Sequence, residues 1–438
     1  LLLVSATGSG KSLCFQVPVL LRRGCAFVIS PLKALMSQQV SDLQRKKIPA
    51  TFINGDLAPQ EKEIRYALLR DHALKFLFCT PERFDNTMVR PSEVDEITRT
   101  KPNYLVIDEA HCIDRWGRDF RPNYGRLREV RHALGDPPVL AFTATAGVKS
   151  QQRILQSLGV PDARVVVTGV NRPNIALTRL DDVDDEQRYA LITELLRTMP
   201  AGRAMVFVPT VRIGTKLQNG LRDLGVFVPF FHSKLGTAND RDILLGRFTG
   251  RLNPAANVVI CTNAFGMGLD LPNVRLVIHW QHPASVEDYL QEFGRAGRDG
   301  SSSIAMLFTG TRDAGLLNFM ADHTVENSDL VVLEKTFARQ AKTDGIRQMK
   351  ECATARHVCF RSAIVEYFGE APTHRRTTLA VKIVEWLFSR KNRKLRATGC
   401  CDKCDGVRID NVLEWAVRVW DPSARRKRSS VSPITRAR

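Results

Sequence analysis

A glycine-rich turn directly follows the first apolar run of the chain. Residues 1–5 are Leu-Leu-Leu-Val-Ser, and the sequence continues as Ala6-Thr7-Gly8-Ser9-Gly10-Lys11-Ser12. Glycines let a backbone approach phosphate oxygens closely, a lysine reaches the outer phosphates, and a serine hydroxyl can ligate Mg²⁺. We therefore predict a triphosphate site formed by Thr7, Gly8, Ser9, Gly10, Lys11 and Ser12, with Ser12 as a metal ligand.

Two adjacent acids end a later apolar run. The sequence Leu105-Val106-Ile107 continues as Asp108-Glu109-Ala110-His111. Asp108 is suited to hold the Mg²⁺ shell, and Glu109 is suited to orient and deprotonate an attacking water. A lone Asp-Glu pair is often a solvated turn, but its pairing with the upstream phosphate loop favours a hydrolytic site. The stretch Phe142-Thr143-Ala144-Thr145 follows the next strand candidate and could hydrogen-bond to this acidic motif, relaying nucleotide state.

Two arginines in the second half of the chain suit phosphoryl chemistry. Residues 291–300 are Gln-Glu-Phe-Gly-Arg-Ala-Gly-Arg-Asp-Gly. Residues three apart share a helix face, so Arg295 and Arg298 are predicted to reach a γ-phosphate together as arginine fingers across an interdomain cleft. The glycine-rich loop 262–270, which includes Gly268 and Asp270, is suited to close backbone approach at the same cleft.

These residues need parallel strands to position them. Short β-rich runs alternate with amphipathic stretches, a pattern typical of a parallel sheet covered on both faces. The strand candidates are 1–5, 26–30, 51–54, 75–80, 104–108, 139–143 and 165–168, followed by 203–209, 227–231, 257–262, 276–280 and 304–309. We predict an α/β protein with domains at 1–172 and 173–325, a helical zinc-binding subdomain with a basic insertion at 326–406, and a basic tail at 407–438.

The composition is that of a globular protein with a polyanionic partner. The 438 residues are 44% hydrophobic and 25% charged, and Lys plus Arg exceeds Asp plus Glu by 64 − 46 = 18. This positive balance favours nucleic acid as the partner, although a merely basic surface is the alternative. No apolar run approaches the length of a membrane span, and no signal peptide is visible.

Cysteine spacing late in the chain indicates a metal site. Cys401 and Cys404 form a Cys-x-x-Cys pair, which is half of a structural zinc site, and Cys359 is a distant partner candidate. Cys400 is the preferred fourth ligand because a thiolate suits Zn²⁺ and it is already adjacent, with His374 and Cys352 as alternatives. Six of the ten cysteines are scattered, which indicates buried thiols rather than a disulfide framework.

Aromatic and basic side chains interleave after the acidic pair. Within 112–124, three aromatics alternate with three arginines: Trp116, Phe120 and Tyr124, with Arg115, Arg118 and Arg121. Aromatic rings stack on unpaired bases and arginines hold phosphates. Beside Glu109, such a loop would let nucleic-acid binding influence hydrolysis. The alternative is that Trp116 and Phe120 belong to the local core.

Taken in order and spacing, these motifs resemble the RecQ-type DNA helicases, within the wider group of DEAD/DEAH-box motor proteins. The resemblance covers the chain from residue 1 to about 404, and the stretches 112–124 and 264–270 narrow it to RecQ. It implies two RecA-like domains and matches Cys359, Cys401 and Cys404 to the family's zinc ligands. It also implies phosphate-backbone contacts for Lys33, Arg83 and His232.

The resemblance further implies an ATP-dependent DNA helicase of 3′-to-5′ polarity, with ATP, Mg²⁺ and Zn²⁺ as cofactors. Its partner would be single-stranded, forked or partial-duplex DNA, and its setting repair and recombination. The family's adenine-recognition motif lies upstream of the phosphate loop, so we expect an N-terminally truncated sequence. The expected location is intracellular, either the bacterial cytoplasm and nucleoid or a nucleus.

Two other functions compete with this interpretation. A DNA-stimulated ATPase that translocates without unwinding is one, because 407–438 is too short for the winged-helix domain that many RecQ proteins carry. An inactive nucleic-acid-binding fragment is the other. Retention of Lys11, Asp108 and Glu109 argues against the second, and ATP affinity and strand displacement discriminate among the three.

Overall fold

The computed structural model of the chain describes residues 1–5, 10–31, 33–85, 91–116, 122–263, 265, 271, 273–310, 313–328, 332–355, 357–370 and 399–421. The chain divides into two compact units. The first comprises Leu1–Val170 with Asn327–Ala338, and the second comprises Asn171–Glu326 with Arg339–Arg438. The described residues from Arg339 onward therefore group with the second sheet.

The first unit is built on a seven-stranded sheet in which every neighbouring pair is parallel. Its strands follow the order β3-β4-β2-β5-β6-β1-β7. The strands are β1 Leu2–Ser5, β2 Ala26–Ile29, β3 Ala50–Ile53, β4 Phe76–Cys79, β5 Tyr104–Ile107, β6 Val139–Thr143 and β7 Val165–Thr168. All seven were predicted from apolar runs of four to six residues, because strands buried on both faces are apolar throughout, and the partly exposed edge strand β7 is apolar as well.

Within the described residues, seven α-helices and two short 3₁₀ helices accompany this sheet. The α-helices are α1 Lys11–Leu20, α2 Lys33–Arg45, α3 Pro59–Arg70, α4 Pro91–Arg99, α5 His111–Trp116, α6 Leu127–Ala133 and α7 Val148–Ser157, and the 3₁₀ helices are Pro81–Phe84 and Pro122–Tyr124. The core lies between sheet and helices. Phe15 of α1, for example, packs its ring 6.2 Å from that of Phe76 and 5.5 Å from that of Phe142.

The second unit contains a six-stranded parallel sheet in the order β10-β11-β9-β12-β13-β8. The strands are β8 Ile175–Asp181, β9 Arg203–Phe207, β10 Phe230–Phe231, β11 Val258–Cys261, β12 Val274–His279 and β13 Ser303–Thr309. Strand β8 was not predicted. The other five fall on predicted apolar runs, and the α/β fold class with two parallel sheets is confirmed.

One of the helices after β8 lies where the sequence analysis predicted a basic tail. They are α8 Asp185–Thr198, α9 Val211–Asp223, α10 Ala238–Thr249, α11 Val286–Phe293, α12 Asp313–Glu326, α13 Val332–Thr354, α14 Phe360–Tyr367, α15 Asp402–Asp405 and α16 Val412–Trp420. Helix α16 falls within the predicted basic tail 407–438. The prediction is wrong for 407–421, and residues 422–438 lie outside the described ranges.

Helix α16 is part of the hydrophobic core of the second unit. Val412, Trp415, Ala416 and Val419 are all at most 3% exposed and pack with the sheet residues. Their spacing of three and four residues puts one apolar face on the sheet. Among the described helices, none combines the length and apolar character needed to cross a membrane.

Candidate active site and metal centre

The strand order brings three predicted motifs to one edge of the first sheet. Strand β6 pairs in parallel with both β1 and β5. Ser5, Ile107 and Thr143 end these three strands. Because the carboxyl ends of parallel strands meet at the same edge, the end of β1, the acidic pair and the threonine stretch converge there, which is the usual ligand position in such sheets.

Lys11 begins α1 immediately after a left-handed glycine. Gly10 has a φ of 84° and caps the helix, a backbone conformation that residues with a side chain rarely adopt. The Lys11 ammonium donates a hydrogen bond of 2.9 Å to the Ser5 carbonyl at the end of β1. Ser12 follows in the first turn of α1, whose amino end favours anions. Thr7, Gly8 and Ser9 of the predicted loop lie outside the described residues.

Asp108 is a buried carboxylate held on both oxygens. Its Oδ2 accepts a 3.0 Å hydrogen bond from Gln39 Nε2, and its Oδ1 accepts one of 3.0 Å from the Glu109 N–H. Burial and the Glu109 charge raise the pKa of Asp108 to about 6, while the Gln39 bond and the Lys11 charge act in the opposite direction. A carboxyl with this raised pKa would gain by facing a divalent cation, which fits the predicted metal shell.

Glu109 adopts an unusual backbone conformation next to this carboxylate. Its φ is 50°, in the left-handed region that costs a non-glycine residue on the order of 1–3 kcal/mol. Its Oε2 lies 3.2 Å from His111 Nδ1. Burial tends to raise the pKa of Glu109, but the His111 bond and the charges of His111 and Lys11 outweigh it, so that the pKa is lowered. The lowered pKa favours the ionised form of the Glu109 carboxylate, which can accept hydrogen bonds from a water or from His111.

The predicted link between the acidic motif and the threonine stretch is present. His111 Nδ1 and Thr143 Oγ1 are hydrogen-bonded at 3.0 Å, and Thr143 Oγ1 also accepts a 3.1 Å bond from the Thr145 N–H. Burial opposes protonation of His111, but the Cys112 sulfur and Glu109 carboxylate outweigh burial and raise its pKa to about 10. Glu109, His111 and Thr143 thus form one connected polar network.

The two predicted finger arginines lie in a turn rather than on a helix. Helix α11 ends at Phe293, so the prediction that Arg295 and Arg298 share a helix face is wrong. Gly297 has a φ of 54°, which ends the helical geometry between them. Residues 294–298 are called the arginine turn below. Arg295 is buried at 8% exposure, and Arg298 is half-buried.

A third arginine fixes the arginine turn. Arg172 donates to the carbonyls of Gly294, Ala296 and Gly297, at 3.1, 3.1 and 2.9 Å. Burial and the charge of Arg298 lower the pKa of Arg172. Burial and the charge of Arg298 likewise lower the pKa of Arg295. Like charges gathered in this way favour an anionic ligand.

Four cysteine sulfurs converge in the second unit. The sulfurs of Cys359, Cys400, Cys401 and Cys404 all lie within 4.8 Å of one another. Cys359 Sγ is 3.9 Å from the Cys400 sulfur and 3.6 Å from the Cys401 sulfur. Tetrahedral zinc with Zn–S bonds of about 2.3 Å separates its sulfurs by about 3.8 Å, so this set fits a metal ion. Cys352 is not part of the group, and His374 lies outside the described residues.

Residues that sequence analysis missed join this cluster to the sheet. Cys400 is bonded through its carbonyl to the Leu177 N–H of β8 at 3.1 Å. Arg179 of the same strand forms a buried ion pair with Asp402, with 3.0 Å between Nη2 and Oδ2. Arg361 of α14 donates to the Cys400 carbonyl at 3.1 Å. No local sequence pattern signals these contacts, which join distant segments.

The predicted nucleic-acid contacts have mixed outcomes in the structure. Lys33 is exposed and pairs with Asp56 at 2.6 Å. His232 is half-buried, with its ring 4.7 Å from that of Phe230. Arg83 is 5% exposed and paired with Glu93, so its predicted role as a direct DNA contact does not fit the structure.

The aromatic loop is described only at its ends. Tyr124 is fully buried, so it belongs to the core and is not placed to stack on a base. The backbone of Trp116 ends α5, but its side chain is not described. Other predicted site residues also lie outside the described ranges: Arg118, Phe120, Arg121, Gly268 and Asp270.

Comparison with known families defines the class of protein. Residues 1–154 match the family described as DEAD/DEAH box helicase, and residues 187–300 match the family described as helicase conserved C-terminal domain. The two matches fall on the first and second sheet units respectively. The chain is thus a helicase of the two-domain DEAD/DEAH class, and its sheets are of the RecA-like type.

Similar proteins narrow the class further. The chain is 36% identical over 343 residues to the probable ATP-dependent DNA helicase RecS of Bacillus subtilis, covering 77% of this chain and 67% of RecS. It is 34% identical over 381 residues to the ATP-dependent DNA helicase RecQ of Haemophilus influenzae, covering 86% of this chain and 57% of that protein. The chain belongs to the RecQ family of ATP-dependent DNA helicases, and it spans little more than half the length of several of these relatives.

Solved structures share the fold at low sequence identity. The helicase MrfA bound to DNA aligns with a TM-score of 0.55 at 18% identity, covering 83% of this chain and 50% of MrfA. Yeast Dbp5 bound to RNA and ADP BeF3 aligns with a TM-score of 0.53 at 21% identity, covering 79% of this chain and 88% of Dbp5. At these identities the similarity concerns the fold alone.

Proposed function

We propose that the chain is the motor of a DNA helicase that couples ATP hydrolysis to 3′-to-5′ translocation on single-stranded DNA and to duplex unwinding. The observation that carries the proposal is the convergence of Lys11, Asp108 and Glu109 at one sheet edge, with Glu109 tied to Thr143 through His111. Membership of the RecQ family supports the DNA substrate, and repair and recombination are the proposed setting.

In the proposed reaction, Lys11 neutralises charge on the outer phosphates of ATP, with Thr7, Gly8, Ser9 and Gly10 contributing backbone N–H groups. Ser12 and Asp108 would hold Mg²⁺, which would neutralise charge on the phosphates when bound. Glu109 accepts a proton from the water that attacks the γ-phosphorus, and the bond to the bridging β–γ oxygen breaks as ADP leaves. Arg298 and Arg295 stabilise the charge on the transferred group.

The cysteine cluster is proposed to hold a structural Zn²⁺. The four thiol groups converge at spacings suited to tetrahedral zinc, and the carbonyl of one of these cysteines, Cys400, accepts bonds from Leu177 of strand β8 and from Arg361. A closed four-sulfur site is typical of structural zinc. Its role would be to fix the segments 357–370 and 399–405 on the second unit.

DNA is proposed to bind through the basic surface of the chain and the aromatic segment. The excess of 18 positive charges supports a phosphate backbone partner. Lys33, His232, Arg118 and Arg121 are proposed phosphate contacts, and Trp116 and Phe120 are proposed to stack on bases. Gly268 and Asp270 are proposed to contribute to nucleotide binding. The proposed location is with the cellular DNA, either in the bacterial nucleoid or in a nucleus.

The decisive experiment is ATP hydrolysis by the purified chain with and without single-stranded DNA, beside Glu109→Gln. Stimulation by DNA that disappears in the variant would support a coupled motor. Strand displacement from forked duplexes with either a 3′ or a 5′ tail then tests unwinding and polarity. Hydrolysis and DNA binding without displacement would indicate a translocase, and DNA binding without hydrolysis would overturn the proposal.

A further inference from the structure

The arginine turn depends on contacts from outside its own segment. Helix α11 ends at Phe293, so the carbonyls of its last turn have no N–H donor further along the helix. Arg172 supplies donors to three carbonyls of the turn, at 2.9–3.1 Å. Asn174 adds bonds from its side-chain amide to the Gly297 carbonyl at 2.8 Å and the Ser301 carbonyl at 3.1 Å. The position of the turn is thus set largely by the segment that precedes β8.

Arg361 fixes that preceding segment in turn. It is 7% exposed, and its Nη1 donates to the Asn171 side chain at 3.2 Å and to the Arg172 carbonyl at 2.8 Å. Its Nη2 donates to the Ile175 carbonyl and, at 3.1 Å, to the Cys400 carbonyl. One planar guanidinium therefore serves four acceptors, a role that a lysine cannot fill.

Both sides of Arg361 are anchored at the cysteine cluster. Cys359 caps the amino end of α14, two residues before Arg361. Cys400 accepts one of the Arg361 bonds through its backbone carbonyl. Hydrogen bonds therefore connect the Cys400 carbonyl to Arg361, and Arg361 to the Arg172 carbonyl, and the Arg172 side chain then bonds the carbonyls of the arginine turn. Cys359 is joined to Arg361 through the first residues of α14, and all of these contacts lie within the second unit.

We propose that Arg361 and Arg172 are positioning residues that hold the arginine turn for hydrolysis and make its geometry depend on the metal-bound cysteine cluster. The inference rests on the proposed function, in which Arg295 and Arg298 stabilise the transferred phosphoryl group. Misplacement of such groups by about 1 Å can reduce turnover by up to about 100-fold. The loss should fall on kcat, because the turn acts on charge that develops during reaction rather than on nucleotide affinity.

The test compares Arg361→Gln, Arg361→Lys and Arg172→Gln with the control Arg188→Gln in the full chain. Arg188 is buried to nearly the same extent as Arg361 and bonds the Trp280 carbonyl at 3.2 Å, so its loss should be comparably destabilising without reaching the turn. We expect kcat to fall about 10- to 100-fold in the three test variants. We expect the KM for ATP to change little, and Arg188→Gln to keep wild-type turnover at temperatures where it is folded.

A second readout does not depend on activity. The Gly297 N–H donates to the Val274 carbonyl at 2.9 Å, so hydrogen exchange at this amide reports the position of the turn. Exchange should accelerate in Arg361→Gln and Arg172→Gln and also in Cys404→Ser, but not in Arg188→Gln. Affinity for ADP should persist in the arginine variants, while affinity for ADP with aluminium fluoride falls.

The outcomes separate this inference from the proposed function. Absence of hydrolysis by the wild-type chain would overturn the proposed function, and exchange at Gly297 would still test the connection from the cluster. A wild-type kcat in Arg361→Gln, or exchange at Gly297 that Cys404→Ser leaves unchanged, would overturn the inference alone. Arg361→Lys keeps the charge and nearly the volume, so it provides the same test should Arg361→Gln fail to fold.

Discussion

Arg179 and Asp402 form a buried ion pair between residues 223 positions apart in the chain. The Arg179 Nε lies 3.1 Å from Asp402 Oδ1, and its Nη2 lies 3.0 Å from Oδ2. The remaining Nη1 donates to the carbonyls of Cys352 and Ala355, at 3.0 and 3.2 Å. The guanidinium also stands 4.4 Å from the Phe360 ring centre. One side chain of β8 thus fixes the ends of α13, α14 and the cysteine segment.

Removing Asp402 should be strongly destabilising. Asp402→Ala leaves a buried guanidinium without its countercharge, which lowers the free energy of unfolding by about 3–5 kcal/mol. The matched control is Asp185→Ala, which breaks an exposed pair with Lys216 and should lower it by no more than about 1 kcal/mol. Urea unfolding followed by tryptophan fluorescence measures both. Equal losses in the two variants would contradict the structural role of the Arg179–Asp402 pair.

The Arg179–Asp402 pair also explains why strand β8 was not predicted from the sequence. Ile175–Asp181 contains Thr178 and Arg179, which break the apolar pattern that marked the neighbouring strands. Both side chains are nonetheless buried, because Arg179 finds its countercharge far away in sequence. Local sequence patterns indicate where apolar side chains are buried. They do not indicate that a charged side chain is buried when the residue that neutralises it is distant in the sequence.

Other parts of the site could be predicted because they follow from local rules. The strands that end at Ser5, Ile107 and Thr143 are short apolar runs, and parallel pairing alone brings their ends together. The end of α11 at Phe293 was not predicted, because the residues that bond the following turn, Arg172 and Asn174, lie more than 120 positions away in the sequence. Helix α16 could have been predicted from the sequence, because its four buried apolar residues repeat at helical spacing. It was missed because the basic residues that follow led to the prediction of a tail.

Turnover should require Lys11 and Glu109. Lys11→Ala removes the ammonium that neutralises phosphate charge, and Glu109→Gln keeps the shape of the side chain but removes the proton acceptor. Both variants should lose ATP hydrolysis, measured by phosphate release in the presence of single-stranded DNA. Glu63→Gln is the control, since Glu63 is exposed and pairs only with Arg70 among its described contacts. Normal hydrolysis in either purified variant would refute the site assignment.

Thr143 should support hydrolysis through its hydroxyl rather than its volume. Thr143→Val keeps the shape but removes the group bonded to His111 Nδ1 and to the Thr145 N–H. Without this hydroxyl, His111 and Glu109 are less well oriented, and the activation free energy of hydrolysis should rise by about 1–2 kcal/mol. That rise corresponds to a fall in kcat of about 5- to 30-fold. Thr143→Ser retains the hydroxyl and should hydrolyse ATP nearly normally. A kcat that falls equally in both variants would show that packing, not the hydrogen bond, matters here.

Gly297 should not tolerate a side chain. A Cβ at this position would lie 2.8 Å from the Ser301 carbonyl oxygen and also meet the Asn174 amide, and the φ of 54° is itself unfavourable. Gly297→Ala should therefore lower both thermal stability and kcat. Gly300→Ala separates the two causes, because Gly300 has a φ of 80° but no described atom within 4 Å of the position that an alanine methyl group would take. Thermal unfolding that is equally affected in both would indicate backbone strain without a steric clash.

Metal removal should loosen the segment 399–405 from strand β8. Without a cation, four sulfurs within 4.8 Å would have to be protonated or move apart, because adjacent thiolates repel one another. The purified chain should contain about one zinc ion, and Cys404→Ser should lose it together with thermal stability. Cys352→Ser should retain it, because Cys352 stands outside the group although it is on the neighbouring helix α13. Metal content by mass spectrometry decides the matter, since zinc retained in Cys404→Ser, or lost from Cys352→Ser, would show that the cluster is not the binding site.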